Sequence, residues 1–120
     1  VLKEAFSIAL LTLPGVPTAQ ETRCDARTFH EMHQCAVARH RQAEADHERA
    51  YREAAARLEP SSREKLRKAQ EAWARYRAAH CDFESSKSAG RREYAVVRLR
   101  CMAELTEART AVLSLRVPLP

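Results

Sequence analysis

Four cysteines stand at positions 24, 35, 81 and 101. Thiols in a short chain offer two chemistries, oxidation to disulfides or coordination of a soft metal. The chain has no Cys-x-x-Cys pair, and the spacings of 11, 46 and 20 residues fit no zinc module. An even cysteine count then reads as a disulfide framework, which forms and persists outside the reducing cytosol. Cys24, Cys35, Cys81 and Cys101 are accordingly assigned to two disulfides, and no metal or other cofactor is expected.

His33, His40 and His47 recur every seven residues and share one helix face, with Glu44 beside the last two. Imidazole and carboxylate at i, i+4 can hold a metal, and a histidine row can sense pH. The simpler reading is a solvated polar face. Lys87, Arg91 and Arg92 form a small basic cluster that suits an acidic partner. Ser85, Ser86 and Ser88 lie in the same stretch without a nearby general base, so no nucleophile–base pair is visible and the chain reads as a non-enzyme.

Three helices must position these groups. Thr28-Phe29-His30-Glu31 has the form of a capping box, so a first helix opens at Thr28 and runs to about Leu58, before Glu59-Pro60. Its inward stripe is Met32, Cys35, Ala36, Arg39, Ala43, Ala50, Ala54 and Leu58. A second helix starts near Ser61 or Ser62, with Leu66, Ala69, Trp73, Tyr76, His80 and Phe83 facing inward. It fades in Ser85–Gly90. A third runs from about Arg91 to Leu115 on Tyr94, Val97, Cys101, Leu105, Ala108, Val112 and Leu115. Short connections make neighbours antiparallel, giving an all-α, up-down-up three-helix bundle. Between Gln20 and Pro120 there are only 17 large aliphatic, Met, Phe or Trp side chains, so the core is thin and cross-links matter.

Helix geometry also bears on the pairing of the cysteines. At 1.5 Å per residue, Cys35 lies roughly 10 Å, Cys101 roughly 15 Å and Cys81 roughly 7 Å from one pole, with Cys24 at the pole itself. Depth favours Cys24–Cys81 with Cys35–Cys101. The local alternative, Cys24–Cys35 with Cys81–Cys101, stays open.

Residues 5–13 (AFSIALLTL) follow Lys3 and precede Pro14, Gly15 and Pro17. A basic start, a short apolar centre and a small residue before the cut read as a signal peptide over 1–19, leaving 20–120 as one domain. Nine apolar residues are too few to span a bilayer. Cys24 follows Glu21-Thr22-Arg23, which is no lipoprotein site, so no stable membrane anchor is expected. The net charge is +5 with 6% aromatic residues. That is too mild a charge and too few rings for a nucleic-acid binder. Two glycines in 120 residues exclude a Gly-rich phosphate loop.

Leu66-Arg67-Lys68-Ala69-Gln70-Glu71-Ala72-Trp73-Ala74-Arg75-Tyr76-Arg77-Ala78-Ala79-His80-Cys81 closely resembles the signature of the LprI-like lysozyme-inhibitor family, L-R-x-A-Q-x-A-W-x-x-Y-R-x-x-x-C. Cys101-Met102-Ala103-Glu104-Leu105-Thr106-Glu107-Ala108-Arg109 is similar to its second motif, C-x-x-x-L-T-x-x-R. Cys24, Thr28, Glu31-Met32 and Cys35-Ala36 look like the start of its first helix. The likeness covers about residues 24–113. The chain departs from the family at His47-Glu48 before Tyr51, at Ala78, and in the shortened Ala89-Gly90-Arg91 step.

The resemblance implies an exported, periplasmic or secreted bacterial domain, helical and non-catalytic. It implies a protein partner, a lysozyme or other peptidoglycan glycosidase, whose two-carboxylate cleft the domain would occlude. Ser85–Arg92 is the natural inserting segment, with Lys87, Arg91 or Arg92 pairing to the carboxylates. The rival expectation is an envelope module that binds another protein or an anionic cell-wall component. Trp73, Tyr76, Arg77, Thr106 and Arg109 are the family-motif positions, read as structural, with Arg109 reaching an acid such as Glu71.

Overall fold

Thr28 opens the first helix as the capping pattern predicts. In the computed structural model, which describes residues 24–116, its hydroxyl accepts the Glu31 backbone N–H at 3.2 Å. The Glu31 carboxylate in turn accepts the N–H groups of Thr28 and Arg27 at 2.9 and 2.8 Å. Orphan amides at the helix start are thereby satisfied. Helix α1 spans Phe29–Ala56, two residues short of the expected end. Its last carbonyls find a donor in the next helix: Arg63 Nε–H donates to Ala55 O at 3.0 Å and Nη2–H to Leu58 O at 2.9 Å.

Helix α2 spans Pro60–Ser85 and begins on a proline, which has no N–H to leave unpaired. A 3₁₀ turn over Ser86–Ser88 continues it. Gly90 then takes φ +76°, a left-handed conformation closed to most side chains, and turns the chain back. Helix α3 spans Tyr94–Arg116, starting three residues later than its sequence pattern suggests. The signal-peptide assignment over 1–19 lies outside the described residues. Among the described residues no helix is long and apolar enough to cross a membrane.

Side-chain contacts fix the directions. Arg39 of α1 reaches Glu104 and Glu107 of α3, and further on Ala50 and Ala54 meet Leu113, so α1 and α3 run parallel. Arg77 meets Glu44 while Gln70 meets His47, so α2 runs antiparallel to both. This is the expected up-down-up bundle.

The core is built from small residues. Ala36, Ala43 and Ala50, seven apart, are buried with Ala54 on α1, as are Val96, Ala103, Thr106 and Leu113 on α3, the helix that α1 packs against. Alanine at each turn lets two helix backbones approach closely, so contact area replaces side-chain volume. Leu113 with Ala50 and Ala54 forms the main apolar cluster, capped by Tyr51 and Leu66.

Two expected stripes are displaced. On α2, Trp73 turns inward as expected, but Tyr76 and Phe83 are exposed, and Gln70, Arg77, Cys81 and Ser85 turn inward in their place. On α3, Val112 and Leu115 are exposed while Val96, Ala103, Thr106 and Leu113 are buried, because α3 is packed on two sides, by α1 and by α2. Arg39, expected inside α1, is exposed and forms a two-pronged pair with Glu107 at 2.9 and 2.7 Å.

Both disulfides are local: Cys24–Cys35, with Cα atoms 5.8 Å apart, and Cys81–Cys101, with Cα atoms 5.6 Å apart. The Cys24–Cys81 and Cys35–Cys101 pairing favoured by depth is therefore incorrect. Depth along an axis is necessary for a disulfide, but the direction around the axis decides it. Cys81 faces α3, and the stretch before Thr28 lies back along α1, carrying Cys24 two turns down to Cys35.

Candidate functional site

Midway along the bundle, polar side chains from all three helices meet inside it. Glu44 and His47 come from α1, Gln70, Trp73 and Arg77 from α2, and Thr106 and Arg109 from α3. Steps of three and four place Gln70, Trp73 and Arg77 on one face of α2. A step of three does the same for Thr106 and Arg109 on α3.

Arg77 is the hub. Its Nη1 donates to the Glu44 carboxylate and, at 2.6 Å, to the Thr106 hydroxyl. Thr106, fully buried, donates its own O–H to the Met102 carbonyl at 2.6 Å. The guanidinium lies over the Trp73 ring, 4.7 Å from its centroid. Its Nε–H has no hydrogen-bond partner among the described residues.

A second chain runs beside the first. Arg109 Nε–H donates to Gln70 Oε1 at 2.6 Å, and the Gln70 Nε2 group faces His47 Nε2 at 2.8 Å. Arginine can only donate, so Gln70 must turn its oxygen to Arg109 and its N–H to His47. His47 Nε2 is then an acceptor and the imidazole is neutral. Burial pushes the His47 pKa below its ordinary value, Glu44 opposes this, and Arg77 and Arg109 reinforce it. The His47 ring sits 4.7 Å from Trp73, which is thus held between His47 and Arg77.

The histidine row is therefore not a uniformly solvated face. His47 joins the polar layer. His40 is half-buried with Nδ1 4.0 Å from Glu44 Oε1 and no hydrogen-bond partner among the described residues. His33 alone lines a shallow surface depression, with Gln34, Val37, Ala38 and Arg41. Arg109 binds Gln70 and not Glu71, because Glu71 projects outward to Arg67. Gln70 stands in the helix-two motif but its sequence pattern gave it no role, and Glu44, read beside the histidine row, pairs with Arg77. The step of three from Gln70 to Trp73 was the available signal.

The basic cluster is dispersed. Arg92 stacks over Phe29, its Cζ 5.0 Å from the ring centroid, and so ties the α2–α3 connection to the start of α1. Arg91 leans on Glu93 at 3.8 Å. Lys87 is exposed and forms no ion pair among the described residues. Ser85 is buried and donates to the Cys81 carbonyl at 2.6 Å, while Ser86 donates to Phe83 O at 2.6 Å. Their hydroxyls are spent on helix carbonyls.

Among the described residues one trio of metal-ligating types converges: atoms of His80, Glu84 and Cys101 lie within 4.8 Å of one another. The Cys101 sulfur is bonded to Cys81 and is not a thiolate. His80 Nε2 instead faces Glu84 Oε2 at 3.4 Å.

The family model described as "Lysozyme inhibitor LprI" matches residues 20–113, a span that includes both motifs, both disulfides and the whole polar layer. No curated protein and no solved structure matches the chain.

Proposed function

The chain belongs to the LprI lysozyme-inhibitor family, and from that premise we propose that it is an exported, non-catalytic domain that binds a peptidoglycan glycosidase and blocks its cleft. The observation that carries this reading is how the motif residues are used. Gln70, Trp73, Arg77, Thr106 and Arg109 bond to one another across the bundle. Groups engaged in this way hold a shape and leave recognition to the outer surface. The two disulfides support an oxidising compartment, periplasmic or secreted.

A glycosidase cleft carries two carboxylates. The connection between α2 and α3 offers the chemistry to meet them. Lys87 forms no ion pair there among the described residues, whereas Arg92 is held by Phe29 and Arg91 by Glu93. At +5 the chain gains no long-range steering toward a basic target, so binding rests on local fit.

The test is a panel of lysozymes of different classes, assayed for cell-wall lysis with micromolar purified domain at low and high salt. Inhibition of at least one class, changing little with salt, is the expected result. No inhibition of any class removes the proposal.

A further inference from the structure

Helix α2 carries three rings that the bundle does not use. Tyr76 is 55% and Phe83 71% exposed, and the His80 side chain between them is 36% exposed. They follow at steps of four and three and so form one row. Their centroids lie 5.4 Å apart from Tyr76 to His80 and 6.4 Å apart from His80 to Phe83. Two large exposed rings on a chain with so few aromatics are costly in water unless something covers them. Tyr76 belongs to the same motif as Trp73 and Arg77, yet it alone of the three points outward.

The row is rigid. The fully buried Cys81 is bonded to Cys101 directly beside it and pins α2 to α3 at that level. On the same stretch Asp82 takes Arg98 of α3 at 2.9 Å, and Glu84 is turned onto His80. Little motion is left to lose on binding, which is what a docking surface requires.

The ring planes discriminate between ligands. They are inclined by 30° and 54° and do not lie in one plane. A sugar chain lying on aromatic faces needs a flat platform, and this is a ridge. A ridge suits insertion into a concave cleft lined by apolar groups. Lys87 stands one helical turn beyond Phe83 and supplies a positive charge at the end of the row.

We propose that Tyr76, His80 and Phe83 form the ridge by which the domain docks, and that its occupant is the sugar-binding cleft of the target glycosidase, with Lys87 directed at the cleft carboxylates. This rests on the function proposed above and assigns it a surface. A cleft that holds a glycan offers apolar walls and a negative floor, the complement of three rings followed by a cation. Aromatic side chains of this kind dominate binding energy where they are buried at an interface.

The experiment compares the wild-type domain with the double variant Tyr76→Ser/Phe83→Ser and with Lys87→Ala against a lysozyme from the panel. Both ring positions are exposed, so circular dichroism melting should coincide with wild type. The double variant should raise the inhibition constant at least tenfold, and an oligomer of N-acetylglucosamine should compete with the wild-type domain. Unchanged inhibition by the double variant overturns the ridge and leaves the function standing. Lack of competition by the sugar overturns the cleft as occupant. Sedimentation showing a dimer that the double variant abolishes makes the occupant a second copy and overturns the proposal. If the wild-type domain inhibits nothing, both readings fall together.

Discussion

The Arg77 guanidinium of α2 donates a 2.6 Å hydrogen bond to the Thr106 hydroxyl of α3, joining two motifs 29 residues apart in the chain. The same nitrogen holds Glu44 of α1, so one side chain ties three helices. An alanine-rich core gives little apolar area to hold these helices in register. The polar hub supplies direction that small side chains lack.

Removal of Arg77 is therefore expected to be severe. Its side chain is 14% exposed, and its loss leaves the fully buried Thr106 oxygen without its donor, while the half-exposed Glu44 keeps its water. Arg77→Ala should cost about 2 kcal/mol, the order found when a buried acceptor loses its charged donor. Arg39→Ala removes a pair that is 45% and 44% exposed and should cost no more than about 1 kcal/mol. Urea unfolding of the two variants checks the contrast. Equal losses would show that the hub carries no special weight.

Stability should fall on mild acidification, and His47 should account for part of the fall. Burial lowers the His47 pKa in the folded state, so the unfolded chain takes up a proton more readily. This contribution is complete above the unfolded value of about 6.5 and is lost as pH drops through the lower folded one. Protonation also removes the acceptor that meets Gln70. Melting temperatures from about pH 8 to about pH 5 should decline more for wild type than for His47→Gln. Parallel profiles count against the neutral imidazole.

The two disulfides should part in sequence. Cys24 is exposed, whereas Cys81 is fully buried and Cys101 nearly so. A thiolate must reach a sulfur to attack it. Limited dithiothreitol followed by alkylation should label Cys24 and Cys35 first, as mass spectrometry of the peptides would reveal. Cys81→Ala/Cys101→Ala should lower stability by about 3 kcal/mol, the chain-entropy estimate for a loop of this size. Simultaneous labelling of all four would contradict the assigned order.

At the other end of the pH scale the first capping box should titrate. The backbone N–H of Thr28, and then that of Arg27, hold the Glu31 carboxyl below the usual carboxylate range. Its contribution is present above the ordinary glutamate value and disappears as pH falls through the lowered one. Glu31→Gln should flatten the acid limb of the melting curve. Thr28→Ala should cost about 1 kcal/mol at neutral pH. Helicity followed by circular dichroism between about pH 5 and about pH 2 separates the two effects.

Much of the architecture was legible in the residues. Thr28 and Glu31 marked one helix start, and Glu59-Pro60 the break between the first two helices, although α2 begins at Pro60 itself and not behind a Ser61 or Ser62 cap. Local signals of this kind depend on a few adjacent residues and on rules of backbone hydrogen bonding that hold in any fold. The heptad alanines 36, 43 and 50 likewise showed which side of α1 is inward. The likeness of two motifs to one family was readable for the same reason, since it rests on residue type and spacing alone.

The inward face of α2 was not legible. Apolar periodicity selects Ala69, Tyr76 and Phe83, and the bundle buries Ser85 and half-buries Gln70 and Arg77. A periodicity argument sends polar groups to water because it cannot see a partner on another helix. Arg77 finds Glu44 and Thr106, and Gln70 finds His47 and Arg109, only when three helices come together. The disulfide pairing failed for the same reason, since depth can be counted along one chain but rotation about an axis cannot. The sequence alone thus determined three helices, their ends and the oxidised state expected of four cysteines. The tertiary structure alone decided which side of α2 faces in and how the cysteines pair, because those choices are made by contacts between residues far apart in the chain.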